Sequence, residues 1–154
     1  MIIKEEPLSR KAQKCLAKWL QDKGIVTTIE SPLSDGHRID IYGFEKFAGE
    51  EIDIGIEIKS SIYDLKSGYG LNFRNYMYEY LALLDDSSAF VERAIGHLYL
   101  RGCQHVGVLI MLSNDGGFGI RLIKEARPYI SPSNPIISDL PSPIARLIAK
   151  ERMA

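Results

Sequence analysis

Asp40 and Glu57 stand seventeen positions apart, each in a stretch that alternates polar and apolar side chains, and Lys59 follows the second carboxylate by two. The first stretch reads Arg38-Ile39-Asp40-Ile41-Tyr42-Gly43, the second Asp53-Ile54-Gly55-Ile56-Glu57-Ile58-Lys59. Side chains two apart on a β-strand share a face. Asp53, Glu57 and Lys59 therefore point one way, with Gly55 leaving space between them, while Ile54, Ile56 and Ile58 point into a core. Pairing the two stretches as neighbouring strands stands Asp40 beside Glu57. Two carboxylates and an ammonium suit hydrolysis of a phosphodiester with a divalent cation. Mg²⁺ takes hard oxygen ligands in octahedral geometry, one or two of them carboxylates and the rest water and substrate phosphate. Asp40, Glu57 and the carbonyl of Ile58 are the candidate protein ligands for Mg²⁺ or Mn²⁺. The metal lowers the pKa of a bound water and neutralises charge in the transition state. Lys59 is placed to orient that water or hold the scissile phosphate. Glu-x-Lys is also common on solvated sheet faces, where cross-strand ion pairs are ordinary. Context separates the two readings: this strand runs into Ser60-Ser61, a second acidic strand precedes it, and an amphipathic helix precedes both.

The elements that would position these residues can be read along the chain. Ser9 begins a helix to about Lys23, with Ala12, Cys15, Leu16, Trp19 and Leu20 on one face and Gly24 as the stop. Trp19 sits within that stripe and reads as core. Ile25–Glu30 is a short β-branched strand, and Ser31–Gly36 a loop by its turn residues. Strands near His37–Phe44 and Ile52–Ser60 flank a polar connection, Glu45–Glu51, that carries Gly49. Met77–Leu84 fits either period and is read as a strand at Tyr78–Leu84, partly on the resemblance given below. A helix follows at Ser88–Arg101, with Gly102 as its stop, then a buried strand at Val106–Leu112. Asn114-Asp115-Gly116-Gly117 is a hairpin turn with Gly119–Lys124 as the returning strand. Residues 128–143 hold five of the seven prolines and read as irregular, and Pro143–Arg152 as a closing amphipathic helix. The expected class is α/β, a central mixed sheet flanked by helices. The domain is expected over residues 1–127, with 128–154 packed on the same body.

Arg38-Ile39-Asp40 followed by Glu57-Ile58-Lys59, after an N-terminal helix, resembles the PD-(D/E)xK nuclease superfamily. The run Glu57-Ile58-Lys59-Ser60-Ser61-Ile62-Tyr63-Asp64-Leu65-Lys66 resembles the E-x-K-x-S-x-x-D-(F/L) segment of its MmcB-like DNA-repair group. The resemblance covers roughly residues 8 to 125. It implies a restriction-endonuclease-like fold, an αβββαβ core plus C-terminal additions, with a short helix between residues 61 and 75. It also implies Asp40 and Glu57 as metal ligands, Lys59 as the catalytic lysine, and DNA as the partner. Two positions depart from the pattern. Arg38-Ile39 stands where many members have Pro immediately before the Asp, and the further Glu that many carry on the first helix has no counterpart among Glu5, Glu6 and Asp22.

Composition bounds these expectations. The 154 residues, 45% hydrophobic and 25% charged, suit one soluble domain with a substantial core. No apolar run approaches the ~20 residues of a membrane helix, and Met1-Ile2-Ile3-Lys4-Glu5-Glu6 is not a signal peptide, so residence in the cytoplasm is expected. A net charge of −1 weighs against a generic nucleic-acid binder, which relies on Lys/Arg contacts to phosphate. Local basic groups exist nonetheless. Lys11, Lys14 and Lys18 fall at helical spacing and read as a solvated face; Arg121, Lys124 and Arg127 form another group; Lys59, Lys66 and Arg74 adjoin the proposed site. Lys66, Asn72, Arg74 and Tyr76 are the candidate nucleic-acid contacts. Tyr63, Tyr69, Tyr76, Tyr78 and Tyr80 suit either stacking on bases or covering a core edge. Ser61 and Asp64 either support Lys59 or cap the following helix, with capping favoured. Gly68-Tyr69-Gly70-Leu71-Asn72 lacks the Gly-Lys-Ser/Thr ending of a phosphate loop, and His37 reads as a turn residue. His97, His105, Cys15 and Cys103 show no zinc spacing, and the cysteines, placed on helical segments, read as reduced buried thiols. Two functions stay open. One is a metal-dependent DNA endonuclease or repair nuclease; the other is a non-catalytic nucleic-acid- or protein-binding module on the same fold. A two-fold dimer is the default assembly.

Overall fold

The two alternating stretches form an antiparallel hairpin, β2 (Arg38–Phe47) and β3 (Glu50–Lys59). The structure, a computed structural model, describes residues 7–32, 38–61, 64–65, 76–115, 117–128 and 142–153. The hairpin is longer than the polarity of Glu45–Glu51 predicts. Only Ala48 and Gly49 remain as the turn, both at positive φ (54° and 80°). Two successive positive φ values are those of a type I′ turn, whose twist matches that of the strands it joins. Exposed Lys46, Glu50 and Glu51 thus belong to the ladder, because backbone pairing does not require an apolar side chain on the outer face.

β1 (Val26–Pro32) lies antiparallel along β2 at the sheet edge and includes Ser31 and Pro32, which their turn chemistry marks as loop. An edge position tolerates Pro32, since its missing N–H can face away from the ladder. β4 (Tyr78–Leu83) is parallel to β3, β5 (Gly107–Asn114) is parallel to β4, and β6 (Gly117–Lys124) returns antiparallel, so the six strands lie in sequence order. All six residues of β4 are buried, so it lacks the polar–apolar alternation of a half-buried strand, which is why its period fits a strand and a helix alike. The helices are α1 (Leu8–Asp22), α2 (Ser88–Leu100) and α3 (Pro143–Met153). The fold is therefore α/β, a six-stranded mixed sheet with three helices among the described residues.

The sheet faces are covered differently. On one, Ile52, Ile54, Ile56 and Ile58 of β3 join Tyr80 and Ala82 against Ala12, Leu16 and Leu20 of α1 and Ile144 and Leu147 of α3. On the other, α2 lays Phe90, Ala94 and Leu98 over Leu81, Leu83 and Val108, with Leu65 alongside. That helix covers β4 and β5, and its core includes no residue of β2 or β3. Ser87 caps α2 by accepting from the Phe90 N–H, and Gly102 (φ 69°) ends it. Cys103 consequently lies past the helix, buried in a turn, rather than on it; Cys15 is on α1 and only half-buried.

The buried arc of α1 is rotated from its apolar stripe. Gln13 and Ala17 are buried beside Ala12, Leu16 and Leu20, whereas Cys15 and Trp19 lie at the margin. Trp19 packs on the core edge while its indole N–H donates to Glu151 Oε2 (3.2 Å). α3 is tied to the sheet by the Ile144 N–H donating to the Tyr80 hydroxyl (3.1 Å) and by Arg146, which pairs with Glu45 and lies over the Phe47 ring. No helix among the described residues is long and apolar enough to cross a membrane.

Gly107, at the start of β5, makes a sharp test of this packing. A Cβ there would sit 2.8 Å from the Ala126 backbone nitrogen and 2.8 Å from Tyr80 Cδ1. Backbone cannot step aside as a side-chain tip can, so Gly107→Ala is expected to cost ~1–3 kcal/mol, read as a lower urea midpoint at unchanged slope.

Candidate active site

The hairpin register pairs Ile41 with Ile56 and Tyr42 with Gly55, and the alternation then turns Asp40, Tyr42, Asp53, Glu57 and Lys59 to the face opposite α1, where the core under α2 includes no residue of β2 or β3. Asp40 is held from two sides. Its Oδ2 accepts the Ile58 N–H at 2.7 Å, and its carbonyl accepts the side-chain amide of Gln13 at 2.8 Å. Gln13 was not among the candidate residues. Its signal was a polar side chain on the arc between Ala12 and Leu16, buried because it finds this acceptor.

Glu57 is 6% exposed and shares a hydrogen bond with the Asp40 carboxyl. Burial, then the Asp40 charge and that shared bond, push its pKa up to about 9, with Lys59 opposing. Burial raises Asp40 as well, against the Ile58 N–H, the Glu57 bond and the Lys59 charge. Near neutral pH the pair therefore shares one proton. Glu57 Oε1 is buried and accepts no hydrogen bond among the described residues. An unsatisfied buried carboxylate oxygen is costly unless a proton or a cation meets it.

Lys59 is 5% exposed, with Nζ 3.7 Å from Asp64 Oδ1. The other Asp64 oxygen accepts the Ser60 N–H at 3.0 Å, and Ser61 Oγ accepts the Asp64 N–H at 3.1 Å. The two expected roles are thus divided: Ser61 caps the helical turn at Asp64–Leu65, and Asp64 turns back to Lys59.

Gly55 does not leave a gap among the carboxylates. A Cβ there would lie 2.6 Å from Ile39 Cδ1 and closer still to the Tyr76 ring, so the missing side chain is what lets that ring sit on the strand. Asp53 Oδ1 accepts the Met77 N–H at 2.7 Å and anchors the chain at this point. The Tyr42 ring lies 5.5 Å from that of Tyr76, tilted by 48°. Burial, with the charges of Asp53 and Glu79 and smaller contributions from Tyr42 and Glu57, lifts the Tyr76 phenol to about 12. Glu79, opposite Gly55 on β4, is fully buried, and His105 Nε2 lies 3.9 Å from its Oε1. Glu79 too was not a candidate, although a lone Glu within Tyr78-Glu79-Tyr80-Leu81 is the kind of signal that marks a buried carboxylate.

Of the candidate nucleic-acid contacts, Tyr76 borders this site, whereas Lys66, Asn72 and Arg74 lie outside the described residues, as do His37, Tyr63, Tyr69 and the 68–72 glycine segment. Tyr78 and Tyr80 belong to the core. Lys11, Lys14 and Lys18 are exposed on α1, across the sheet from the carboxylates. Lys124 is turned inward, donating to the carbonyls of Gln104 and Val106.

Among the described residues no three His, Cys, Asp or Glu side chains gather as a metal cage. Asp40 and Glu57 form the smaller set that a hard, water-retaining cation such as Mg²⁺ uses, and the open Glu57 Oε1 fits such an ion.

No protein-family model matches the chain, and no curated protein matches it. Among solved structures the chain is similar to a protein of unknown function from Silicibacter pomeroyi, with a TM-score of 0.57 and 17% identity over 85% of this chain and 80% of that one. At such identity the likeness shows a common fold.

Proposed function

We propose that the chain is a metal-dependent DNA endonuclease or repair nuclease of the PD-(D/E)xK type, resembling the MmcB-like group. The observation that carries this reading is the Asp40–Glu57 pair, with Glu57 buried and its Oε1 unsatisfied among the described residues, on the sheet face opposite α1 and beside a buried Lys59. The order α1, β1–β3, a helical turn at Asp64–Leu65 and then β4 parallel to β3 agrees with the αβββαβ core of the restriction-endonuclease-like fold, with α2, β5, β6 and α3 as additions.

Asp40 and Glu57 would hold Mg²⁺ or Mn²⁺, with the Ile58 carbonyl as a third oxygen. Such an ion supplies a water of lowered pKa and charge neutralisation at the phosphate. The Ile58 N–H and Gln13 keep Asp40 from moving as charge changes. Lys59, steadied by Asp64, presents a cation from the same strand face to the scissile phosphate and the attacking water. The low-dielectric setting of both groups strengthens these interactions.

A non-catalytic binding module on the same fold is the second reading. It is favoured by the amide Gln13, rather than an acid, on the inner face of α1.

Calorimetry with Mg²⁺ and Mn²⁺ separates the two. Because the carboxyl pair must surrender its proton to a cation, affinity is expected to rise about tenfold per pH unit between pH 6 and 8, with close to one proton released. Binding should be accompanied by cleavage of plasmid or oligonucleotide DNA. A folded chain that takes up no metal with or without DNA would leave the binding module standing.

A further inference from the structure

We infer that Tyr42 and Tyr76 form a stacking platform for an unpaired base, so that the substrate is single-stranded or locally opened nucleic acid. The inference rests on the nuclease reading for its adjoining chemistry, and on four structural observations of its own.

First, the platform is built. Gly55 provides the room, Ile39 backs it, and the Asp53–Met77 bond fixes the chain beside Tyr76. Second, both rings are half-buried, and α2 does not reach this part of the sheet. Third, the platform stands over Gly55, two residues along β3 from Glu57. At ~3.3 Å of rise per residue that is about 7 Å, comparable to the reach from a phosphate to the base of its own nucleotide. A phosphate at the carboxylate pair therefore places its base at the rings. Fourth, the surroundings select for a base. Asp53 and Glu79 flank Tyr76, and the phenol stays neutral there. Carboxylates repel a phosphate, whereas an uncharged π-face stacks on tyrosine whatever its sequence. Bases inside a duplex already stack on each other and offer no free face, so the contact discriminates between strands and duplex.

The test uses the full chain and two fluorescent probes, an oligo-dT strand and a hairpin duplex with the same number of phosphates. Binding is read by anisotropy in Ca²⁺ and cleavage separately in Mg²⁺. Wild type is expected to bind oligo-dT more tightly than the duplex. Tyr42→Leu and Tyr76→Leu, which keep apolar cover over Gly55, should weaken oligo-dT binding by roughly 5- to 100-fold, the loss of one base–aromatic stack. Duplex and metal binding should not change, and Tyr76→Phe should restore the strand affinity. Equal loss on both probes, no loss on either, or a wild type that ignores oligo-dT overturns the platform. Strand binding without any cleavage instead removes the nuclease reading and leaves the platform intact. Cleavage that neither tyrosine variant alters, on strand or duplex, does the reverse.

Discussion

Lys59→Met is expected to slow phosphodiester hydrolysis by roughly 10²- to 10³-fold while leaving metal affinity within a few-fold of wild type. Asp40→Asn is expected to lose both metal binding and cleavage. The contrast follows from geometry. Asp40 meets Glu57 directly and is fixed by the Ile58 N–H, so an amide in its place removes an anionic ligand from a two-carboxylate site. Lys59 stands on the same face but is paired to Asp64, and its charge serves the phosphate rather than the cation. Methionine matches its length and leaves no buried charge behind; the Asp64 side chain, 39% exposed, can turn to water. Asp64→Asn should fall between wild type and Lys59→Met, since the ammonium survives but loses its anchor. Single-turnover cleavage beside calorimetry reads all three. An unchanged rate in Lys59→Met would take Lys59 out of the reaction, and metal binding by Asp40→Asn would take Asp40 out of the ligand set.

The metal-free protein should lose stability as pH rises from 5 to 8. Glu57 has a reference pKa of 4.5 and a folded value near 9, so between these the native chain holds a proton that the unfolded chain has released. Folding then takes up a proton, and stability falls with rising pH, by up to ~1.4 kcal/mol per unit while a full proton differs. Asp40, also raised, acts in the same direction. The loss over the window is expected to be on the order of a few kcal/mol. Glu57→Gln cannot ionise and should flatten this slope, making the variant more stable than wild type at pH 8 in the presence of a chelator. Saturating Mg²⁺ should restore wild type by binding the folded state alone. Urea midpoints at four pH values, with chelator or Mg²⁺, decide the matter. A wild-type slope that Glu57→Gln does not alter would mean that the carboxyl pair is already fully ionised in the native state. Gaining stability by removing a charge while losing metal is what distinguishes a functional carboxylate pair from a structural one.

What the chain determined by itself was local periodicity. The alternation of Ile54, Ile56 and Ile58 with Gly55, Glu57 and Lys59 fixes two faces, because a strand has no other way to separate them. The apolar spacing of α1 and α2 and the turn chemistry before β6 were equally legible. Elsewhere long-range pairing overrode local character. Ser31-Pro32 and the charged ends of β2 and β3 became strand because a neighbour offered them a ladder. β4 was ambiguous because it is buried on both faces, which erases the alternation that reports a strand.

Tertiary structure alone decided what surrounds the carboxylates. Gln13 reaches Asp40 from another element, Glu79 arrives on a parallel strand, and the Tyr76 ring fills the place at Gly55 that periodicity leaves empty. Each of these depends on which segments become neighbours, and that is settled by burial summed over the whole core rather than by spacing within any one stretch.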